Sequence, residues 1–503
     1  MRTFACLALL ALIAPPATPS ATVPGMEASV VGLDVTAQQW NPDRPWAKNK
    51  PATRHPNGVI LEGPYILTTA QMIADATFIQ VEKFGRITRV AARPYLVDRE
   101  IDLALLKVET DDFFHDLRPV KLARQTPASG ALHSVRWRGQ QFESLESRVK
   151  RFEVQGGYYG QLKHLFLLAQ TDLSGGGWAE PVFDNGHRLV GITVSQKNQA
   201  ASIIPVEIIA RFLQRAGRPG SPGDFPVFGA LWQVNEDPAL AAYLGQSGEP
   251  HGVLIRQVPW GSSACGVLHP RDLLLSVDGK PVDADGFYTH PRLGQLQFTH
   301  LLTDLHRVGD TIPLQVLRRG HLLDLEMTLR AYPVSMMLLP EHHGDDPPPY
   351  IVAGGLVLRE LDGDYMRSWG SKWTTRAPLR LLGRYFQKRN AQRPGQRRII
   401  LLTSVLPSHY NVGYQNLRDV VVEEINSFPI DSILDVAEAL KHPRNGFHTF
   451  VLEPGSSRRE IVLDADGLHA ATAEILEQYR IPQPARMPAT PPPDGGPDCP
   501  GDF

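Results

Sequence analysis

Cysteine is scarce: Cys6, Cys265 and Cys499 are the three in 503 residues, too far apart in sequence for a disulfide framework or a metal-ligand spacing. Stability is therefore expected from burial, and Cys499 is read as a free or intermolecular thiol. An excess of charge is missing too, because 51 basic and 53 acidic residues leave a formal net charge of -2, which disfavours a dedicated nucleic-acid binder. No run past the N-terminus approaches the roughly 20 apolar residues that span a bilayer, so no membrane span is expected in the mature chain. No cofactor is called for.

What is present is an ordinary globular balance, 42% apolar with 43 Gly and 43 Pro, in a chain too long for one core. Two or three domains follow. Arg2, the apolar run Phe4 to Ala14 and the small, Pro-rich stretch Pro15 to Ala21 have the order of a secretory signal peptide over residues 1–21. The mature protein is expected to begin near Thr22 and to be exported, periplasmic or extracellular.

From Ala28 to Gly217 short β-branched and apolar runs alternate with turn residues: Ser29 to Val35, Gly58 to Leu61, Tyr65 to Thr69, Phe78 to Lys83, Leu103 to Val108 and Leu189 to Val194. This is an all-β barrel or sandwich pattern. A helix, Pro205 to Ala216, closes it, and a Gly/Pro/Ser-rich linker follows at 217–224. Residues 225–332 mix strands with two short helices, Pro238 to Leu244 and Phe298 to His306. A third module is expected over 350–480, with a helix at Ile433 to Leu440, and a disordered Pro-rich tail over 481–503. Between the second and third modules, Glu341, His342, His343, Asp345 and Asp346 are metal-ligand types, but the triple Pro after them reads as a stiff solvated connector, and no metal is assigned. The Arg/Lys cluster from Arg376 to Arg398 is read as a solvated helix and loop, with nucleic-acid or acidic-lipid contact as the alternative.

Three segments are specific: Gly58-Val-Ile-Leu-Glu-Gly-Pro-Tyr-Ile-Leu-Thr-Thr-Ala-Gln71, Arg99-Glu-Ile-Asp102-Leu-Ala-Leu-Leu-Lys-Val108, and Gln170-Thr-Asp172 through Pro181-Val-Phe to Val190-Gly-Ile192. In order, spacing and strand context they resemble the HtrA/Deg family of trypsin-like serine proteases. Gly252-Val-Leu-Ile, Leu268-His-Pro-Arg-Asp272 and Val308-Gly-Asp310 are similar to its PDZ domain, with Phe228, Gly229, Ala230 and Leu231 at the carboxylate-binding loop. Residues 350–480 are similar to the divergent second PDZ domain of plant-type members. The resemblance implies a mainly β fold, a trypsin-like double β-barrel at 22–217 followed by two PDZ-like α+β modules.

The chemistry of that family needs an imidazole to take a proton from Ser, an Asp to hold the imidazole, and two backbone N–H groups for the oxyanion. Asp102 occupies the Asp position, but Gln71 stands at the His position, and an amide is no general base. Trp178 stands at the Ser position within Gly175-Gly-Gly-Trp-Ala-Glu-Pro181, in a loop shortened by two residues. A rival alignment of Asp172-Leu-Ser174-Gly-Gly176 makes Ser174 the nucleophile, with a base recruited from His55, His115, His133, His164 or His187. Asp102 has a structural alternative as a hydrogen-bond acceptor to a buried backbone group or Gln71, and Trp178 one as a cap of the barrel core.

The first domain is therefore expected to be a protease-like barrel without its triad. Its partners would be protein C-termini or unfolded segments held by the PDZ modules, in a homo-oligomer of three or more chains, as the resemblance implies. An active endopeptidase using Ser174 and a pure PDZ scaffold are the alternatives.

Overall fold

The computed structural model describes residues 25–84, 89–157, 162–172, 175–216, 224–331, 337–341, 346–388, 397–489, 491 and 499. The expected signal peptide, Ser174, His342, His343 and Asp345 lie outside them.

Val30–Ala37 pairs along one edge with Asn57–Ile60 and Ala52–Arg54 and along the other with Ala76–Lys83. That double pairing closes a seven-stranded sheet into a barrel, because one strand serves as both first and last neighbour. A second seven-stranded sheet runs from Pro181–Phe183 to Lys121–Leu122, and Pro181–Phe183 closes it by pairing with Arg188–Lys197. The seam between the barrels is apolar: Val59, Leu67, Leu103 and Leu105 of the first pack with Val135, Phe166, Phe183 and Ile192 of the second. Helix Val206–Leu213 lays Ile208, Ile209 and Phe212 into the same core, as its periodicity predicts.

Residues 225–331 form a smaller module around a sheet in the order Leu231–Gln233, Val253–Gln257, Leu273–Val277, Thr311–Arg318, His321–Thr328. Its second expected helix is one turn, Thr299–Thr303, and stops well short of His306. Arg211 of the barrel's closing helix is the physical reason: it takes the carbonyls of Thr303, Asp304 and His306 as acceptors at 3.0, 3.2 and 2.7 Å. Those carbonyls point to a guanidinium instead of along a helix. Asp304 in turn accepts from the Leu165 N–H at 2.9 Å, so this module is bonded to the second barrel.

The last module is built on an eight-stranded sheet running from Glu460–Asp464 to Tyr350–Ala353 and on to Ala485–Arg486. Three expectations are corrected here. The tail does not begin at 481, because Ala485 and Arg486 pair with Ile351 and Tyr350 and place Arg486 over the Trp40 and Tyr350 rings. Nor is Glu341 part of a solvated connector: it is buried, and its carboxylate accepts from Arg367 at 3.0 Å and from the Tyr385 hydroxyl at 2.5 Å. Finally, Cys499 is not a free thiol but is bonded to Cys265 across 234 residues of sequence. Distance along the chain hides that pairing, because only the fold brings the two residues together.

A crosslink closing so long a loop restricts the unfolded chain strongly, by about 5 kcal/mol in the chain-entropy picture and less in practice. Cys499→Ser is therefore expected to lower unfolding stability by about 2–5 kcal/mol in urea titrations. Reductant should lower the wild type to the same level and leave the variant unmoved.

Candidate functional site: a cleft between the barrels and a strand-edge groove

The cleft lies where the two barrels meet. Strand Tyr65–Thr68 delivers Gln71 just past its end, and the turn before Leu103–Val108 delivers Asp102. The Asp102 backbone sits in the left-handed region at φ 55°, which turns its carboxyl inward, where it accepts from the Gln71 backbone N–H at 2.7 Å. The side-chain amide of Gln71 donates to the Val194 carbonyl at 2.8 Å. The pair is thus assembled side by side, joined through the Gln71 backbone N–H, and the Gln71 side chain also lowers the Asp102 pKa. Burial pushes the Asp102 carboxyl up to about 8, against the lowering effect of the Gln71 and Ala70 N–H groups, and its second oxygen has no hydrogen-bond partner. At neutral pH it is largely protonated and supplies little negative charge to a neighbouring base.

The loop before Pro181 is closed from within. The Gly176 N–H donates to the Gln196 side-chain oxygen at 2.5 Å, and the N–H groups of Gly177 and Trp178 both donate to Glu180 Oε2 at 3.0 Å. Gly177 adopts φ 98°, with Ser195 Cα 3.1 Å from where a Cβ would sit, so the loop lies directly on strand Arg188–Lys197. Glu180 is buried, its pKa raised by that burial, with Arg136 3.9 Å from its other oxygen. An oxyanion hole needs such N–H groups free and aimed at developing negative charge. Here they are occupied, two of them by a carboxyl group. Sequence reasoning missed Glu180; its signal was an acidic residue directly before the strand in a shortened Gly-rich loop.

Trp178 is not a core cap, since it is 41% exposed. Its indole separates two hollows. One, of about 580 Å³, is shared with Gln71, Met72 and Arg54 of the barrel and with Arg359, Asp362 and Tyr365 of the last module. The other, of about 500 Å³, is lined by Arg136, Glu180, Gly175 and His55. Of the candidate displaced bases, His164 is buried, held at about 4 by desolvation and bonded to the Leu165 carbonyl. His133 is bonded to Asn185 at 3.1 Å. No histidine among the described residues bonds Asp102.

The second candidate site is the loop Phe228, Gly229, Ala230, Leu231. Phe228 anchors it, packing edge-on to Phe298 at 5.3 Å. Gly229 takes φ 80°, and a Cβ there would lie 2.3 Å from Ser262 Cβ, so no side chain fits. The N–H groups of Gly229 and Ala230 have no acceptor among the described residues. They border a hollow of about 320 Å³ between edge strand Leu231–Gln233 and helix Thr299–Thr303, with Lys163 of the barrel on its rim. Free N–H groups beside an unpaired strand edge can receive a carboxylate-ended peptide as an added strand.

The Asp102 geometry sets a pH dependence. Its folded-state pKa is raised, so between about 4 and 8 the folded protein holds a proton that the unfolded chain releases, and stability falls as pH rises through that window. One such group contributes a slope of about 1.4 kcal/mol per pH unit. Asp102→Asn keeps the acceptor for the Gln71 N–H and removes the titration. Unfolding free energies from urea titrations at pH 4 to 8 should fall less steeply in the variant by about that amount.

The sequence model of the PDZ domain matches residues 339–486. Putative protease Do-like 13 of Arabidopsis thaliana is 25% identical over 460 residues, covering 90% of this chain and 87% of the relative. Protease Do-like 2, chloroplastic, of the same plant is 24% identical, covering 87% and 71%. Among solved structures, the HtrA-type protease AlgW with decapeptide aligns at 19% identity and a TM-score of 0.46, over 61% of this chain and 96% of that one. With two closed barrels, a PDZ match over residues 339–486 and Do-like proteases that align over most of their length, the chain is similar to HtrA/Deg proteases that carry a PDZ domain.

Proposed function

We propose that this protein is an exported, catalytically silent HtrA/Deg homologue that binds polypeptides, protein C-termini above all, in extracytoplasmic quality control. The observation that carries the reading is the occupied loop: the N–H groups of Gly176, Gly177 and Trp178 are taken by Gln196 and Glu180. A carboxyl group at that point opposes the negative charge that acyl transfer must stabilise. With Gln71 in place of a base, loss of triad function costs a factor of about 10⁴–10⁶. Binding remains, and the free N–H groups at Gly229 and Ala230 supply it. Residues 22–217 form the silent barrel, 225–332 the first PDZ module and 350–480 the body of the second, in an oligomer of three or more chains by likeness to the family.

The alternative of an active Ser174 has one observation in its favour, since His55 lines a hollow with Gly175. Fluorophosphonate labelling of the folded protein separates the two. No adduct and no casein turnover are expected; an adduct on Ser174 that disappears in Ser174→Ala overturns the silent reading and makes His55 the base to test. For the groove, peptides with a free C-terminus should bind at least about tenfold tighter than their amidated forms. Equal binding refutes the role of residues 228–231.

A further inference from the structure

The stretch 365–418 contains no Asp or Glu, while Lys and Arg recur through it, in a chain whose overall charge is nearly balanced. Part of it folds as helix Trp373–Arg376, helix Leu379–Gly383 and a wider turn, Arg384–Lys388. One face is buried, with Leu381, Leu382 and Tyr385 packed in a core with Leu338, Tyr365 and Leu401. The opposite face carries apolar side chains into solvent: Leu379 is 86% exposed and Phe386 is 60% exposed. Seven residues separate them, about two helical turns, which puts them on one side. The Trp373 ring lies flat on Phe386, 5.8 Å between centroids at 6°.

Basic residues neighbour this apolar ridge in the chain. Lys372 and Arg376, on either side of Trp373 in the chain, are exposed, and their charged groups have no bonded partner among the described residues. Arg380 and Arg384 reach the buried Glu453 at 3.2 and 3.0 Å, so its charge is neutralised inside and is not presented outward. An exposed Leu and Phe amid Lys and Arg, without a carboxylate in the segment, fit a membrane interface: apolar tips enter the headgroup boundary while cations meet anionic lipid. A nucleic acid fits less well, because Leu379 has no ring to stack on a base and Phe386 is already stacked on Trp373.

We propose that this face docks the protein on an anionic lipid bilayer. The surface lies on the last module and does not depend on whether the barrel is silent. Lys372 and Arg376 supply the long-range attraction, and Leu379 and Phe386 the short-range insertion.

The full-length protein is mixed with vesicles of phosphatidylglycerol and phosphatidylcholine, or of phosphatidylcholine alone, and sedimented. Binding is expected on the anionic vesicles only and should weaken sharply at about 0.5 M salt. Lys372→Gln with Arg376→Gln should weaken it roughly 25-fold, about fivefold for each charge. Leu379→Ser with Phe386→Ser should weaken it at least about tenfold. Both pairs are on the surface, so unchanged melting temperatures are the control for folding. Failure of the wild type to sediment, equal binding to neutral vesicles, or an unaffected variant of either pair overturns the proposal. Tighter binding to single-stranded RNA than to vesicles, insensitive to the Leu379 and Phe386 changes, replaces the lipid with a nucleic acid.

Discussion

One buried carboxyl group, on Glu180, organises the centre of the barrel. It gathers the N–H groups of Gly177 and Trp178, sits near Arg136, and its backbone carbonyl accepts from Thr193 at 2.8 Å. Desolvation disfavours a charge there, and the two N–H donors with the Arg136 guanidinium offset part of that cost. The loop 175–181 is consequently fixed by its own side chain, with the N–H groups of Gly176, Gly177 and Trp178 occupied from within. Gln71 and Asp102, joined through a backbone N–H, lie beside it on the same cleft.

The cleft is also walled by the last module. Residues 42–46 of the first barrel contact it: the Pro42 carbonyl accepts from Arg359 at 3.2 Å, that of Pro45 accepts from Arg486 at 3.0 Å, and Trp46 packs against Tyr350. Arg359 is itself held by Asp362 at 2.5 Å, on the edge of the hollow that contains Gln71 and Trp178. On the other side Arg211 fastens the module of residues 225–331 to the second barrel. Both attachments rest on guanidinium groups bonded to backbone carbonyls, a mode in which a planar fork of donors satisfies several acceptors at once.

The barrel was legible where strands are apolar on both faces or bounded by turn residues, as at Leu103–Val108, whose limits agree to the residue. Strands with a wet face were not. Gln141–Gly156 is 16 residues long and alternates Arg, Lys and Glu with apolar positions, so its charge content masks a pairing register that only its neighbours reveal. Gln71, Asp102 and Trp178 were singled out by the family resemblance, and in the structure Gln71 is bonded to Asp102 and shares a hollow with Trp178. The role of Glu180 did not, because a hydrogen bond to N–H groups two and three residues earlier depends on the left-handed turn at Ala179, φ 61°. Burial of Glu341 and the Cys265–Cys499 bond were hidden for a related reason: each depends on partners far away in sequence.

The covalent link between Cys265 and Cys499 makes most of the chain beyond the first barrel pair a closed ring. A single backbone cut anywhere inside that ring separates no piece of the molecule. The second PDZ module could be nicked and still remain attached to the barrel, its halves held by the sulfur bridge and by the sheet. Damage of that kind would pass unnoticed until a reductant arrived, so the thiol–disulfide balance of the surroundings, and not the protease that made the cut, would decide when the fragments part.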